Sequence, residues 1–286
     1  MRAAVGGRVT APGTVLVTGA TSGIGLAAAG QLAAAGWTVL VHGRTPERAA
    51  LACAQLAGND LAGNESTGNG PAGNGPAGEL VPVHADLSAL AEVRRLADSI
   101  GTTVALVNNA GVFTPSAIAE QRRVSADGHE LTWAVNYLAP FALTTALAGR
   151  LGAVVNVTSG MHVRAEPHWA DPDLVEGWDR VRAYGQSKLA LTAFSAELGA
   201  RWPAVPVTAV NPGYVDTPLV RAAFGGPAGD VSVGAAHVVA PLLGGSPVGG
   251  YVELGVRAVP HPLVEDSEGR ARLWALTERL LAARPV

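Results

Sequence analysis

Short apolar runs alternate with helical segments along most of this chain, and this alternation limits the folds open to it. The pattern predicts strands at 15–17, 38–41, 80–83, 104–107, 154–157, 205–210 and 251–254. It predicts helices between them, at 24–35, 46–57, 88–99, about 127–148 and 181–198. Continuous apolar strands separated by helices indicate a parallel sheet covered on both faces. The prediction is an α/β chain folding as one domain over residues 1–286, a Rossmann-type doubly wound parallel sheet of about seven strands.

The composition excludes several classes of partner. Hydrophobic residues make up 48% of the chain, charged residues 15%, and the net charge is -3. This balance predicts a compact globule without the basic surface that nucleic acid or an anionic membrane requires. Residues 1–12 lack the apolar core of a signal peptide, and no apolar run has the length of a membrane span. We therefore expect a cytoplasmic protein with a small-molecule partner, and self-association into a homo-oligomer is left open.

The single cysteine, Cys53, excludes an internal disulfide, and no Cys/His spacing predicts a metal site.

One segment, Gly58 to Gly78, departs from the strand and helix alternation. It is rich in Gly and Asn and lacks the apolar side chains that would offset the entropy cost of ordering it. We interpret it as a flexible surface insertion at about residues 58–79, and not as a domain boundary.

The first predicted strand runs directly into a glycine-rich turn, T-G-A-T-S-G-I-G, at residues 18–25. Glycines at such a turn allow the backbone to approach a pyrophosphate, and the following helix N-terminus supplies free N–H donors. A plain glycine-rich turn is the structural alternative, but the position between a first strand and a helix favours a dinucleotide site. The residues expected to contact the cofactor here are Gly19, Thr21, Ser22, Gly23, Ile24 and Gly25.

The end of the second strand, His42-Gly43-Arg44, bears on which dinucleotide is bound. An NAD site would place an acidic residue near Gly43 to accept hydrogen bonds from the ribose 2′-hydroxyl. Arg44 instead offers a forked cation that suits a 2′-phosphate, and Arg48 lies one helical turn further on. We therefore predict NADP (NADPH) in preference to NAD. A solvated arginine at a strand end is the alternative.

Lys188 is the only lysine among 20 basic residues, and it lies one helical turn after Tyr184. A cation beside a phenol favours the phenolate and lowers the pKa of the tyrosine. The pair therefore predicts a tyrosine that acts as general acid and base near neutral pH. The alternative is an ordinary pair on a helix surface in an arginine-rich chain.

These motifs resemble the classical type of the short-chain dehydrogenase/reductase family, over nearly the whole chain and in the family's order. The first further match is Asp86 in A-D-L-S, with Leu87, after the third strand. The other matches are Asn108-Asn109-Ala110-Gly111, Asn136, Ser159, and the loop Asn211-Pro212-Gly213-Tyr214-Val215-Asp216-Thr217.

The resemblance implies an NAD(P)-dependent oxidoreductase that interconverts an alcohol and an aldehyde or ketone. Tyr184 would exchange a proton with the substrate oxygen, and Ser159 would orient that oxygen. Lys188 would bind the nicotinamide ribose, and Asn136 would hold a water that links the lysine to solvent. The resemblance also places these residues against the cofactor: Asp86, Leu87, Asn109, Ala110, Gly111, Tyr184, Lys188, Pro212, Gly213, Val215 and Thr217.

Several of these positions also have a structural interpretation. Asp86 could cap the helix that follows it, and Asn109 could be a turn residue. Asn136 could be a buried polar side chain bonded to the main chain. If the alignment is displaced by one residue, Thr158 replaces Ser159 as the active hydroxyl.

The stretch between Ser159 and Tyr184 is longer than is usual in the family, and includes His162, His168, Asp171, Trp169 and Trp178. A similar insertion and a similar C-terminal stretch occur in retinol-dehydrogenase-like members. Aromatic and apolar side chains could wall an apolar substrate pocket or could pack the insertion onto the sheet. The candidates are Phe113, Trp169, Trp178, Leu219 and Phe224.

Two other function classes remain to be weighed. A sensor or scaffold that binds the cofactor without turnover usually lacks the tyrosine or the lysine, and both are present. An epimerase or dehydratase of the extended type prefers another glycine spacing and a larger C-terminal domain. The leading prediction is therefore an NADP-dependent oxidoreductase acting on an apolar carbonyl or alcohol.

Overall fold

The computed structural model describes residues 12–58, 78–102, 105–114, 121–223 and 225–283. Its centre is an eight-stranded sheet in the order β3-β2-β1-β4-β5-β6-β7-β8. The strands are β1 (Thr14–Val17), β2 (Thr38–Gly43), β3 (Leu80–His84), β4 (Ala105–Asn108), β5 (Ala153–Val157), β6 (Val207–Asn211), β7 (Gly250–Glu253) and β8 (Val256–Arg257). The first seven are parallel, and β8 pairs antiparallel with β7.

The α-helices are α1 (Gly23–Ala34), α2 (Pro46–Leu56), α3 (Leu90–Ser99), α4 (Leu131–Trp133), α5 (Ala139–Ala146), α6 (Arg180–Arg201), α7 (Pro218–Ala223), α8 (Val231–Leu243), α9 (Pro262–Glu265) and α10 (Ser267–Ala282). A π-helical turn, Ala134–Leu138, joins α4 to α5, and a 3₁₀ helix, Gly160–Arg164, follows β5. None of the helices in the described ranges is long and apolar enough to cross a bilayer.

Two apolar layers cover the two faces of the sheet. On one face, Ala28, Leu32 and Val238 from α1 and α8 pack against strand residues such as Val17 and Val155. On the other face, α3, α5, α6 and α10 contribute a larger cluster that includes Leu96, Phe141, Phe194 and Trp274. Both faces of the central strands are therefore buried, as the continuous apolar runs predicted.

The order of the strands reverses between β1 and β4, which are neighbours in the sheet but not in the sequence. A crevice forms at such a switch point, outside the carboxyl ends of the strands. The glycine turn after β1 and the Asn108–Gly111 segment after β4 both open into it. The predicted doubly wound α/β architecture is thus confirmed, and it fixes where the site must lie.

The structure differs from the sequence prediction in several elements. The predicted helix at about 127–148 is instead α4, the π-helical turn and α5, because the turn inserts one extra residue into the helical repeat. Helices α7, α8, α9 and α10, the 3₁₀ helix and the short β8 were not predicted.

The Gly/Asn-rich insertion was predicted at about residues 58–79. Residues 59–77 of it lie outside the part of the chain that the structure describes. At its far end, Gly78 is already part of the fold. Its amide donates to the Ala33 carbonyl, and a Cβ built on it would lie 2.0 Å from the Trp37 carbonyl oxygen. Gly78 is therefore packed against the fold, and the flexibility of the insertion stays a prediction.

Candidate active site

A cleft of about 790 Å³ opens at the carboxyl ends of the strands. With one exception, every predicted site residue lines it. These residues are Gly19, Thr21, Ser22, Gly23, Ile24, Gly25, Arg44, Asp86, Leu87, Asn109, Ala110, Gly111, Ser159, Tyr184, Lys188, Pro212, Gly213, Val215 and Thr217. The exception, Asn136, is fully buried beside the cleft.

The glycine turn has the geometry that a phosphate cradle requires. Gly19 and Gly23 have φ of +64° and +54°, values that residues with a side chain rarely adopt. A Cβ on Gly25 would lie 2.3 Å from the Asn109 Nδ2 atom. Ser22, at the N-cap of α1, makes no side-chain hydrogen bond to the helix, and the first residues of the helix, Gly23 to Gly25, line the cleft. The residues present therefore fit a bound dinucleotide.

Thr18 and Asn109 lock the turn after β1 to the turn after β4. The Thr18 hydroxyl accepts hydrogen bonds of 3.0 Å from the amides of Asn109 and Ala110. The Asn109 side chain in turn donates 2.9 Å to the Thr18 carbonyl. Asn109 therefore has a structural role, although its side chain bonds the turn after β1 and not its own turn as the sequence suggested, and the residue also lines the cleft.

His42 was not predicted as a site residue, yet it supports this end of the cleft. The buried ring accepts from the Gly19 amide at Nδ1 (3.1 Å), and its Nε2 lies 3.1 Å from the Ala85 carbonyl oxygen. Because an amide can only donate and a carbonyl only accept, the ring is neutral with its proton on Nε2. Burial lowers the pKa of His42 to about 4. A polar residue at the end of an apolar strand was the available sequence signal.

Gly43 is closed to a larger residue, and Arg44 and Arg48 flank it. A Cβ built at position 43 would lie 2.8 Å from the Ala49 amide nitrogen and 2.9 Å from the Thr21 methyl. Arg44 and Arg48 both line the cleft, and neither forms a salt bridge with a described residue. The end of β2 therefore places two cations beside the cleft. It leaves no room at position 43 for the carboxylate that an NAD site would need.

Asp86 forms a local turn as well as lining the cleft. Its carboxylate accepts from both the amide and the hydroxyl of Ser88, at 2.9 and 2.8 Å. Its own amide donates to Glu92. Asp86 does not cap α3, whose N-cap residue is Ala89, and instead forms this turn with Ser88 beside the cleft.

Ser159 and Tyr184 meet at the buried end of the cleft. Burial raises the pKa of Tyr184 to about 12, and a hydrogen bond with the Ser159 side chain opposes that rise. The prediction that Lys188 lowers this pKa is not met here, because burial dominates and the ammonium points elsewhere. The Thr158 hydroxyl lies 2.7 Å from that of Thr192, against α6, which leaves Ser159 as the hydroxyl beside the tyrosine.

Lys188 is buried, and its Nζ donates a 2.8 Å hydrogen bond to the Val157 carbonyl. It lies 5.7 Å from the centre of the Tyr184 ring. Burial lowers the pKa of Lys188 to about 8. The lysine can therefore exchange a proton close to physiological pH, which an arginine cannot.

Asn136 lies in the π-helical turn, a feature that recurs at functional sites. Its Oδ1 accepts from the Val112 amide at 2.8 Å, and its Nδ2 donates to the Val112 carbonyl and the Ser187 hydroxyl. A Cβ on Gly111 would lie 3.4 Å from the Asn136 Oδ1 and 3.6 Å from the Lys188 Nζ. Asn136 therefore braces the loop that carries Gly111 against α6.

The loop after β6 is shaped by its own hydrogen bonds. Asn211 accepts from the Gly213 amide at 3.1 Å, and Gly213 has φ of +94°. The Thr217 hydroxyl accepts from the Val220 amide and so caps α7. This loop closes the cleft opposite the glycine turn, where a Cβ on Gly23 would lie 3.1 Å from the Thr217 methyl.

Apolar side chains form the wall next to Tyr184. Phe113 packs edge-on against the tyrosine with ring centres 4.9 Å apart, and Met161, Leu219 and Ala223 complete the cluster. Arg180 stacks on Phe113 and donates to the carbonyls of Thr114 and Ala223.

The two insertion tryptophans do not line this cleft. Trp169 packs on the core and against Arg272, and the Trp178 indole donates to Glu130. Of the two roles left open for them, packing is the one observed. Phe224 lies outside the described residues.

The fold and site define a dinucleotide-binding α/β oxidoreductase with a tyrosine, a serine and a lysine at the end of its cleft. A family model described as short chain dehydrogenase matches residues 13–226. The chain belongs to the short-chain dehydrogenase family. It is accordingly an NAD(P)-dependent oxidoreductase that acts on alcohol and carbonyl groups.

Among curated relatives, human (Homo sapiens) retinol dehydrogenase 13 is 30% identical, over 96% of this chain and 86% of the relative. Polyprenol dehydrogenase of Mus musculus is 33% identical, over 95% of this chain and 85% of the relative. The sequence prediction of likeness to retinol dehydrogenases is confirmed by these matches.

Solved structures show the same fold. A crystal structure of an uncharacterized protein from Mycobacterium Paratuberculosis superposes with a TM-score of 0.75 at 28% identity, covering 97% of this chain and 98% of the other. A short chain dehydrogenase from Burkholderia cenocepacia in complex with NADP superposes with a TM-score of 0.58 at 25% identity, covering 80% and 89%.

Proposed function

We propose that this chain uses NADP and interconverts an apolar aldehyde or ketone with its alcohol, with Tyr184 as the group that transfers the proton. The observation that carries the proposal is the placement of Tyr184. Its side chain stands between the Ser159 side chain and the Phe113 ring, at the buried end of the cleft. A polar atom that can give a proton thus faces an apolar wall.

The cofactor, when bound, supplies or accepts the hydride. The chain supplies the rest. The glycine turn and the N-terminus of α1 hold the phosphates, and Lys188 reaches the floor of the cleft to bind the ribose. Ser159 donates to the substrate oxygen and fixes its direction, which favours the charge that develops there.

A pKa of about 12 keeps Tyr184 protonated at neutral pH. In that state it can donate to the oxygen of a carbonyl that is being reduced. Oxidation of an alcohol needs the phenolate, which burial disfavours. We therefore propose that reduction is the faster direction at neutral pH.

The preference for NADP rests on the end of β2. Arg44 and Arg48 present two cations to the cleft, and Gly43 leaves no space for a carboxylate. A forked guanidinium matches the oxygens of a 2′-phosphate. The NADP complex of the Burkholderia cenocepacia relative is in keeping with this.

An apolar substrate is supported by the wall of Phe113, Met161 and Leu219. The alcohols in the names of two relatives, retinol and polyprenol, also suggest a lipophilic substrate. We expect that larger apolar carbonyls are turned over faster than small polar ones.

The test is oxidation of NADPH, with NADH in parallel, over aldehydes and ketones graded by size and polarity. Tyr184→Phe should abolish turnover while NADPH binding, followed by fluorescence, persists. Arg44→Ala with Arg48→Ala should weaken NADPH by about ten- to hundredfold, the value of a lost charged hydrogen bond, and leave NADH unchanged. Arg94→Ala, at an exposed arginine of α3, is the control.

Activity that survives in Tyr184→Phe would refute the role of the tyrosine. Binding of NADPH without turnover of any carbonyl by the wild type would favour a sensor or scaffold.

A further inference from the structure

The 3₁₀ helix after Ser159 carries a buried histidine that the catalytic scheme does not use. His162 is fully buried, and its Nδ1 lies 2.7 Å from the carbonyl oxygen of Ser159. The His162 amide also donates to that oxygen, at 3.1 Å. Because a carbonyl oxygen only accepts, the Nδ1 atom must carry the ring proton.

The imidazole is held from the side by the last parallel strand. Tyr251 on β7 packs edge-on against it, with ring centres 4.7 Å apart. The His162 Nε2 and the Tyr251 hydroxyl are both buried and have no hydrogen bond of standard geometry with a described residue. The ring is therefore tethered to the protein through Nδ1.

The same strand also anchors the loop on the other side of the cleft. Glu253, two residues after Tyr251, accepts a 2.6 Å hydrogen bond from Asn211, which accepts from the Gly213 amide. A Cβ built on Gly160 would lie 3.2 Å from the Asn211 Nδ2. Strand β7 thus supports both the turn with Ser159 and the loop with Gly213.

We propose that His162 is a positioning residue for Ser159, and that its Nδ1–H bond to the Ser159 carbonyl sets the direction of the serine hydroxyl. Ser159 has an extended backbone (φ -156°, ψ 148°), and two donors on its carbonyl hold that conformation. The hydroxyl then stays beside Tyr184, where it can bind the substrate oxygen. The inference rests on the proposed function, since it assigns Ser159 the task of orienting that oxygen.

A buried histidine that only fills space would behave differently. Any replacement of similar volume would then alter stability without a selective effect on kcat. A positioning bond, by contrast, depends on a donor at one particular place, because a small displacement of a catalytic group costs far more in rate than in binding.

Two substitutions separate these possibilities. His162→Asn places an amide nitrogen close to the position of Nδ1, whereas His162→Gln carries it one bond further, close to Nε2. With NADPH and the best carbonyl of the panel, we expect His162→Gln to lower kcat on the order of ten- to hundredfold, with the KM for NADPH unchanged. His162→Asn should stay within about threefold of the wild type, since its donor is retained.

Equal losses of kcat in both variants, at equal thermal stability, would overturn the proposal. So would a His162→Gln enzyme with wild-type kcat.

A second measurement is independent of turnover and of any variant. Long-range ¹H–¹⁵N spectra of the wild-type protein report which ring nitrogen of each histidine is protonated. A correlation across the hydrogen bond, from Nδ1 to the Ser159 carbonyl carbon, identifies His162. We expect a neutral ring with the proton on Nδ1, and a proton on Nε2 alone would overturn the proposal. If the wild type binds NADPH but turns over no carbonyl, the proposed function fails, while this result still tests the Nδ1–H bond to Ser159 on which the inference about His162 rests.

Discussion

The Lys188 ammonium donates a 2.8 Å hydrogen bond to the carbonyl oxygen of Val157, the last residue of β5. This bond ties α6 to the strand that leads into Ser159, and it holds the cation 5.7 Å from the centre of the Tyr184 ring. The lysine is buried, so the space around its Nζ is fixed by the fold.

Replacement of this lysine by arginine should abolish most activity. A guanidinium is larger, and it cannot release a proton near pH 8 as the buried ammonium can. We expect Lys188→Arg to lower kcat/KM at least about hundredfold, the usual contribution of a proton-transfer group. Steady-state kinetics with NADPH check this, with Arg94→Lys at an exposed site as the matched control. Retention of more than a tenth of the activity would contradict this account of the lone lysine.

The two directions of the reaction should depend differently on pH. Because the pKa of Tyr184 is raised to about 12, the phenolate fraction grows tenfold for each pH unit across the neutral range. The logarithm of kcat/KM for alcohol oxidation should therefore rise with a slope of about one between pH 6 and 8, and that for carbonyl reduction should stay nearly flat. Equal slopes in both directions would show that another group sets the proton transfer.

Much of this site was predictable because its residues stand at strand ends that the apolar pattern identifies. Gly19 follows β1, Asn109 follows β4 and Ser159 follows β5, so a parallel sheet brings them to one edge. The spacing of Tyr184 and Lys188 is local to one helix and needed no knowledge of the fold. Such features survive an error of a residue or two in the position of an element.

Other features depend on contacts that no local pattern encodes. The π-helical turn around Asn136 continues the apolar pattern of a helix. The sequence therefore does not show that one residue has been inserted there. In the sequence, Trp169 is an apolar aromatic residue whether it faces the substrate or the core. Its contact with Arg272 in the structure shows that it packs against the protein. The sequence predicted that Lys188 lowers the pKa of Tyr184, whereas burial, which spacing does not give, raises it in the structure.

A methyl group at Gly111 should weaken cofactor binding without damage to the fold. The added Cβ would lie 3.4 Å from the Asn136 Oδ1 and 3.6 Å from the Lys188 Nζ, at ordinary contact distance but in the space between them. We expect Gly111→Ala to raise the Kd of NADPH by about tenfold and to leave the melting temperature equal or higher. Fluorescence titration measures the Kd, and Gly101→Ala, where an added Cβ would meet no atom of the described residues within 4 Å, is the control. An unchanged Kd would mean that the ribose does not approach this space.

Introducing the acidic residue of an NAD site at Gly43 should fail to switch the cofactor. The side chain would begin 2.8 Å from the Ala49 amide nitrogen and 2.9 Å from the Thr21 methyl. Overpacking of this kind costs about 1–3 kcal/mol, so Gly43→Asp should lower the free energy of unfolding by that amount and bind neither cofactor well. Denaturant unfolding and NADH kinetics check both points. A stable variant that uses NADH efficiently would show that β2 and α2 can separate.

Acid should destabilise the protein through His42. Its pKa is lowered to about 4, first by burial and also by His84, while Ala85 and Asp86 act in the opposite direction. An unfolded histidine has a pKa near 6.5. Between these two values the unfolded chain binds a proton that the folded chain does not. The free energy of unfolding therefore rises with pH across this window, by about 1.4 kcal/mol per unit, and is lost as the pH falls through it.

Protonation of His42 would also remove the acceptor of the Gly19 amide, and so loosen the turn that faces the phosphates. His42→Asn should consequently be less stable than the wild type at pH 7 and should show a pH slope smaller by about one proton between pH 4 and 6.5. Urea unfolding at a series of fixed pH values measures the slope of the free energy of unfolding against pH. Subtracting the slope of the variant from that of the wild type removes the contribution of the other histidines. Identical slopes would mean that His42 titrates normally in the folded protein, and the Gly19 amide would then need an acceptor other than the His42 ring.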